Sequence, residues 1–225
     1  MKIKKILGLV LATVTAASVM AFSGCELLNS FLGNPETPTG KSELKMEAEY
    51  IDIDDVKGAG ISNNNSGLSM IYGDGTAAQK EMWSEGYYVG FMHNDGTVLA
   101  FEFNSSVATS ATVTFMLGSE DVVGDITLNA ENIAVLVNGE EQFVPNWLVT
   151  SSPMDAATFT ACRLSSAVQL KAGKNTIEFK VLANDLGGNA TRGPLMDYVT
   201  VKAADDTAEL SWTAKKDNPQ RRDEV

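Results

Sequence analysis

The chain has 225 residues, a formal net charge of −12 and 44% hydrophobic residues, including 9 Phe, 5 Tyr and 3 Trp. This length and apolar content suit one globular domain with linkers, or at most two small domains. Because so acidic a surface repels phosphate backbones, we expect no nucleic-acid partner, and an anionic polysaccharide would need a bridging cation.

The N-terminal segment has the pattern of a secretory signal over residues 1–24. A basic head precedes an uncharged apolar run from Ile6 to Phe22, and small residues then lead to Cys25. This arrangement resembles a bacterial lipobox, which implies cleavage before Cys25, a lipid on its thiol and further acylation, for example by palmitate. Two or more acyl chains anchor a protein firmly, so we predict a lipoprotein on the extracytoplasmic face of a cell membrane. A retained, membrane-spanning signal anchor is the alternative.

Residues 25–43 are mostly polar and contain two prolines, which predicts a flexible linker after the lipidated cysteine. Residues 44–203 then show short apolar runs separated by turn residues, without a long helical pattern between them. This texture predicts one all-β domain, a sandwich or barrel. The predicted strands are Leu44–Ile51, Tyr87–Met92, Val98–Phe103, Ala111–Leu117, Ile133–Val137, Ala167–Leu170, Thr176–Leu182 and Asp197–Lys202. Residues 204–225 form a charged tail, within which Ala208–Thr213 is a further edge-strand prediction.

Glu47 and Glu49 lie two residues apart, so on a strand both carboxylates would point to one face. Like charges this close repel each other unless a cation separates them, and calcium prefers such oxygen ligands. A solvated strand face is the alternative.

The chain offers few groups for nucleophilic catalysis. If Cys25 is lipidated, Cys162 has no partner for a disulfide, and we predict a buried apolar role for it. The single histidine, His93, is predicted to be a solvated loop residue. One histidine also excludes a His-rich zinc site, and no Gly-x-Ser-x-Gly motif is present.

Five short motifs follow one another in the predicted domain. They are Glu47-Ala48-Glu49, Tyr88-Val89-Gly90, Val137-Asn138-Gly139, Gly173-Lys174-Asn175-Thr176-Ile177 and Asp197-Tyr198-Val199. The ordered set resembles carbohydrate-binding modules of families 6 and 35. The resemblance implies a jelly-roll β-sandwich of the galactose-binding-like type. It also implies a structural calcium ion, held by Glu47, Glu49 and Asp197.

The resemblance further implies a carbohydrate site in the loops at one end of the sandwich. A sugar ring presents a face of C–H groups that an aromatic ring covers, while amides bind the hydroxyls. The predicted binding residues are Trp83, Tyr87 and Trp147 for stacking, Phe159 where the family often has a tryptophan, and Asn184 and Asn189 for hydrogen bonds. Core packing is the alternative for each aromatic residue.

Three functions remain open from the sequence. The first is a non-catalytic surface lipoprotein that binds a polysaccharide or glycan. The second is a structural or protein-interaction module of a surface complex, which uses the same sandwich to contact other surface proteins. The third is a small hydrolase, which would need two carboxylates facing each other across a cleft.

Overall fold

The computed structural model describes residues 41–52, 56–57, 71–72, 83–90, 92, 95–120, 124–152, 159–182 and 193–215. The predictions for the signal segment, Cys25, His93, Asn184 and Asn189 lie outside these residues. Within them, no helix has the length and apolar character needed to cross a membrane. The regular structure is almost entirely strand, as the turn-separated apolar runs predict.

Sixteen strands are defined within the described residues. They are β1 (Glu43–Glu47), β2 (Val56–Lys57), β3 (Ile71–Tyr72), β4 (Tyr88–Val89), β5 (Val98–Ser105), β6 (Thr109–Glu120), β7 (Ile126–Leu128), β8 (Ile133–Val137), β9 (Glu140–Gln142), β10 (Trp147–Val149), β11 (Ser151–Ser152), β12 (Thr160–Arg163), β13 (Val168–Leu170), β14 (Gly173–Val181), β15 (Leu195–Ala203) and β16 (Leu210–Ser211). Ala48–Tyr50 and Ser84–Gly86 form short 3-10 turns.

The first sheet has eight strands and is organised around β6 and β15. Its path is β11–β6–β15–β4–β3, with β1 also on β15 and with β12 and β13 also on β6. The first strand of the domain therefore pairs antiparallel with its last long strand, in the register Glu47 to Tyr198. This pairing brings the Glu47 motif beside the Asp197 motif.

The second sheet has six strands in the path β16–β5–β14–β8–β9, with β2 also on β5. Its two long strands, β5 and β14, alternate buried residues with more exposed ones, so one face of the sheet packs into the core and the other faces outward. A separate two-stranded ladder joins β7 and β10.

One hydrophobic core lies between the two sheets, which makes the domain a β-sandwich. Phe115 of β6 packs against Phe179 of β14, with ring centroids 5.5 Å apart. The all-β sandwich prediction is confirmed by these pairings and by the shared core.

The Asn-Gly hairpin between β8 and β9 is tied to the start of β14 by two asparagines. Asn138 and Gly139 both have positive φ, 54° and 84°, as a tight two-residue hairpin requires. The amide of the fully buried Asn175 accepts from the Lys171 N–H and donates to the carbonyls of Lys171 and Gly173. Asn138 donates to Asn175 Oδ1 over 3.0 Å, so two of the five sequence motifs meet in one hydrogen-bond network.

Candidate functional site

Strand β15 has a bulge at Asp197, and this aspartate is buried. The register between β15 and β6 shifts between Met196 and Val199, so the residues between them depart from regular alternation. On its other edge β15 changes partner at the same point, because Met196 pairs with Val89 of β4 and Tyr198 pairs with Glu47 of β1. Asp197 is only 3% exposed, although an aspartate is seldom buried without compensation.

Ser84 joins Asp197 to Glu47, which is also buried. The Ser84 N–H donates to both carboxylate oxygens of Asp197, at 3.2 and 3.3 Å, and the Ser84 hydroxyl donates to Glu47 Oε1 at 2.8 Å. The next residue, Glu85, has a φ of 53°, a left-handed conformation that costs free energy in a residue with a side chain. The strained turn thus holds one serine against two carboxylates.

Lys45 supplies the positive charge of this cluster. Its ammonium lies 2.9 Å from Glu47 Oε1, contacts Ser84 Oγ and sits 4.1 Å from the ring centroid of Tyr198. Neither Lys45 nor Ser84 is among the site residues predicted from the sequence. Lys45 could have been predicted from the sequence, because it lies two residues before Glu47 on the same strand and so shares its face. Ser84 could not, since it comes from a distant turn.

When both carboxyl groups are ionised, the cluster has more negative charge than its one lysine balances. Burial and the nearby Glu47 carboxylate raise the pKa of Asp197 well above its usual value, against the opposing effects of Ser84 and Lys45. Burial also raises the pKa of Glu47, with Lys45 and Ser84 opposing it. Burial and both carboxylates raise the pKa of the Tyr198 hydroxyl. Within the described residues, Glu47 Oε2 is buried and lacks a hydrogen-bond partner.

Glu49 does not share a strand face with Glu47, so this part of the sequence prediction was wrong. Strand β1 ends at Glu47, and Ala48–Tyr50 turns into a 3-10 helix that buries Glu49 completely. Side chains follow a different angular period in such a turn than on a strand, so the two-residue spacing no longer puts them on one face. In the part of the chain that the structure describes, no three His, Cys, Asp or Glu side chains are grouped to hold a metal ion.

A second aromatic cluster lies at one end of the first sheet. Strand pairing brings together the end of β4, the far end of β6, and the starts of β12 and β15. There Tyr88 contacts Trp83 edge to face, with centroids 4.8 Å apart, and Phe159 at 5.8 Å. Leu195 completes this cluster, which is separate from the main core. Gly118 allows this close packing, since a Cβ at residue 118 would lie 3.1 Å from the Phe159 ring and would push it away by a few tenths of an ångström.

The predicted stacking residues differ in their surroundings. Trp83 is 6% exposed, and its indole Nε1 has no hydrogen-bond partner among the described residues. Trp147 is 7% exposed, packs on Phe115 and donates from Nε1 to the Arg163 carbonyl at 3.1 Å. Tyr87 is partly buried against the main core. The structure brings Trp83 and Phe159 together and favours core packing for Trp147.

Cys162 has the structural role that the sequence predicts. It is 1% exposed on β12, and burial raises the pKa of its thiol to about 12. Since the thiolate is the nucleophile, this cysteine is inert at neutral pH.

Three solved structures illustrate the folds to which this chain is similar. A family 35 carbohydrate-binding module from Clostridium thermocellum is 17% identical over 72% of this chain and 99% of that one, with a TM-score of 0.44. A family 35 module from an environmental isolate is 12% identical over 76% and 97%, with a TM-score of 0.45. The Podospora anserina GH26-CBM35 β-(1,4)-mannanase is 17% identical over 73% and 28%, with a TM-score of 0.47. No protein-family model and no curated protein matches the chain.

We expect the metal-free protein to lose stability as the pH rises from acid to neutral. The pKa values of Glu47 and Asp197 in the folded protein exceed their ordinary values of 4.5 and 3.8. Between the ordinary and the raised pKa values, the folded state retains protons that the unfolded chain has lost. The contribution of these protons to the free energy of unfolding is therefore complete below the ordinary pKa values and disappears as the pH passes the raised pKa values. The urea concentration at the midpoint of unfolding, measured with a metal chelator present from about pH 4 to about pH 8, will show this decline in stability. Asp197→Asn will flatten it.

Asp205→Asn is the matched control for this experiment. The Thr207 hydroxyl and N–H lower the pKa of the exposed Asp205 below its usual value, so its contribution is lost as the pH falls, with the opposite sign. The Asp205→Asn protein will therefore still lose stability as the pH rises toward neutral. An Asp197→Asn protein with the wild-type slope would contradict the assignment.

Proposed function

We propose that this protein is a non-catalytic carbohydrate-binding lipoprotein, displayed on the cell surface, whose loop-end aromatic cluster contacts a polysaccharide or glycan. One observation carries the proposal: Trp83 is buried in a separate aromatic cluster, yet its Nε1–H lacks an acceptor among the described residues. An unmade hydrogen bond of a buried donor costs about 1–3 kcal/mol. Once the groups that cover the N–H shift aside, a sugar hydroxyl oxygen would accept this bond beside an aromatic surface, which is the combination that sugars need.

The motif resemblance supports the same ligand class. The Tyr88-Val89-Gly90 motif forms β4, and the Asp197-Tyr198-Val199 motif forms the bulged part of β15, which pairs with β4 at Met196. These motifs therefore adjoin the aromatic cluster. Asn184 and Asn189 remain proposed hydrogen-bonding residues, and Tyr87 remains a proposed neighbouring contact.

Binding of a polysaccharide by the full-length protein, in a detergent without a sugar headgroup, tests this proposal. Affinity electrophoresis across a polysaccharide panel in calcium-containing buffer will show retardation of the wild type. Trp83→Phe keeps an aromatic ring but removes the N–H, so we expect binding weaker by roughly two- to twelvefold, the equivalent of one hydrogen bond of about 0.5–1.5 kcal/mol.

Trp147→Phe provides the matched control, because the Trp147 N–H already donates to a backbone carbonyl. It will leave retardation unchanged below its own melting temperature. Failure of the wild type to bind any polysaccharide would reject the proposal. Equal losses in both variants would point to general destabilisation instead of a site at Trp83.

We further propose that Glu47 and Asp197 bind a structural calcium ion. Once both buried carboxyl groups are ionised, one lysine leaves a net negative charge, and the buried Glu47 Oε2 has no partner within the described residues. Both features suit a hard cation that takes six to eight oxygen ligands. Glu49 is left out of the proposal, since the described residues contain no group of three acidic side chains around a common point.

Calcium will raise the melting temperature of the wild type if this ion site exists. At about a hundredfold excess over the dissociation constant, binding to the folded state alone adds about 2.7 kcal/mol to stability. Glu47→Gln will reduce the shift, whereas Glu43→Gln, on the same strand but in an exposed pair with Lys202, will keep it. An unchanged melting temperature in wild-type protein, first stripped with chelator, would overturn the calcium proposal and leave the sugar proposal standing.

Membrane attachment through Cys25 completes the proposal. The basic head, the apolar run and the small residues before Cys25 support it. Cys25→Ala will move the protein from the membrane fraction to the soluble fraction and abolish incorporation of labelled palmitate. Continued membrane association of this variant would favour the signal-anchor alternative.

The second candidate function is a structural or protein-interaction module. Two exposed side chains near β10 favour it, since Phe143 is 71% exposed and Leu148 is 59% exposed. The burial of Trp83 and Trp147 also agrees with it. Absence of polysaccharide binding, together with loss of a surface-protein contact in a Phe143→Ser and Leu148→Ser double variant, would establish this alternative.

A further inference from the structure

A groove of about 400 Å³ lies against the second sheet, away from the loop-end cluster. Its lining comes from β5, from the start of β14, from the residues after the first 3-10 turn, and from the segment that follows β16. The lining residues used below are Asp52, Glu102, Asn104, Lys174, Trp212 and Lys215. None of them belongs to the predicted carbohydrate or calcium site.

The floor of the groove follows from the alternation of β5. Phe101 and Phe103 of that strand are buried in the core, so the neighbouring Glu102 and Asn104 are exposed on the outer face. Lys174 of β14 lies directly opposite Asn104 in the strand pairing and lines the groove beside Glu102 and Asn104. Regular strand geometry thus fixes the positions of an amide, a carboxylate and an ammonium.

The wall of the groove is held in place by contacts between two chain segments. The Lys215 N–H donates to the Tyr50 carbonyl at 2.7 Å, and the Lys215 ammonium lies 3.3 Å from Asp52 Oδ2. Just before, β16 pairs with the end of β5. Trp212 lies between these two attachments and packs partly on the main core while it lines the groove. The aromatic wall therefore has a defined position.

The charges of the groove are already balanced within it. Lys174 pairs with Glu102 at 2.5 Å, and Lys215 pairs with Asp52 at 3.3 Å. A charged ligand would have to compete with one of these ion pairs. A neutral polyhydroxylated ligand would instead find an aromatic surface together with several donors and acceptors.

We propose that this groove is a second saccharide site, which binds a neutral sugar unit against Trp212. The sugar hydroxyls hydrogen-bond with Asn104 and with the Glu102 and Asp52 carboxylates, and the ring of C–H groups covers the indole. Because the groove shares no residue with the loop-end cluster, it binds sugar whether or not that cluster does. Where both sites bind one polysaccharide, the second contact is intramolecular and increases the avidity of attachment.

Tryptophan fluorescence can isolate this site in the full-length protein. The chain has three tryptophans, so a Trp83→Phe and Trp147→Phe double variant reports on Trp212 alone. Titration with neutral monosaccharides, in a detergent without sugar headgroups, will change its emission saturably, with a dissociation constant on the order of 1 mM. Glucuronic acid, the charged probe, will bind at least several-fold more weakly.

Two matched variants that keep all three tryptophans test the groove residues by titration calorimetry. Glu102→Ala will weaken binding of the neutral sugar, whereas Glu178→Ala, which breaks an equivalent Glu–Lys pair on the same sheet outside the groove, will not. The second measurement also covers the case in which the double-tryptophan variant does not fold.

Each outcome decides between the two sites. A sugar response of Trp212, with polysaccharide binding insensitive to Trp83→Phe, supports the groove and rejects the loop-end proposal. No Trp212 response to any neutral sugar in a folded variant, or equal effects of Glu102→Ala and Glu178→Ala, overturns the groove proposal and leaves the loop-end test unaffected. Preferential binding of glucuronic acid overturns the neutral class of ligand.

Discussion

The bulge in β15 is the constraint on which the first sheet and its buried charges depend. At this point the strand changes its neighbour from β4 to β1, and Asp197, which lies at the irregularity, is buried. A buried carboxylate needs hydrogen-bond donors, and the Ser84 N–H, in a strained turn, donates to Asp197. The Ser84 hydroxyl also donates to Glu47, which forms an ion pair with Lys45. One set of polar contacts therefore joins the first strand, a distant turn and the last long strand. The same contacts position Trp83, the residue before Ser84.

The two proposed sugar sites are built on different physical principles. The loop-end cluster combines Trp83, Tyr88 and Phe159 where several described strands begin or end, so its composition depends on chain segments brought together by the fold. The groove beside Trp212 instead uses regular strand alternation for its floor and two ion pairs for its polarity. A surface lipoprotein with both sites would bind one glycan chain at two separated points, which suits retention of a polymer more than its cleavage.

The sequence predicts the sandwich well and the sites only in part. Period-two alternation locates β5 and β14, because strands with one buried face must alternate. The same rule fails at Glu49, where the strand ends in a 3-10 turn, and at Asp197, where a bulge breaks the period. Burial of Trp147 depends on packing against Phe115 from another strand, which no local pattern reveals. Trp212 lies beyond the predicted domain boundary of residue 203, so only the tertiary contact between Lys215 and Tyr50 identifies its role.

Backbone amide chemical shifts of the isotope-labelled protein, titrated with an oligosaccharide from the polysaccharide that it retains, test the central claim most directly. We expect shifts concentrated in two groups, one around Trp83, Tyr88 and Phe159 and one around Asn104 and Trp212. The oligosaccharide will remain uncleaved during the titration. Shifts confined to the β9–β10 region around Phe143 and Leu148, or absence of shifts in both groups, would rule out both sugar sites.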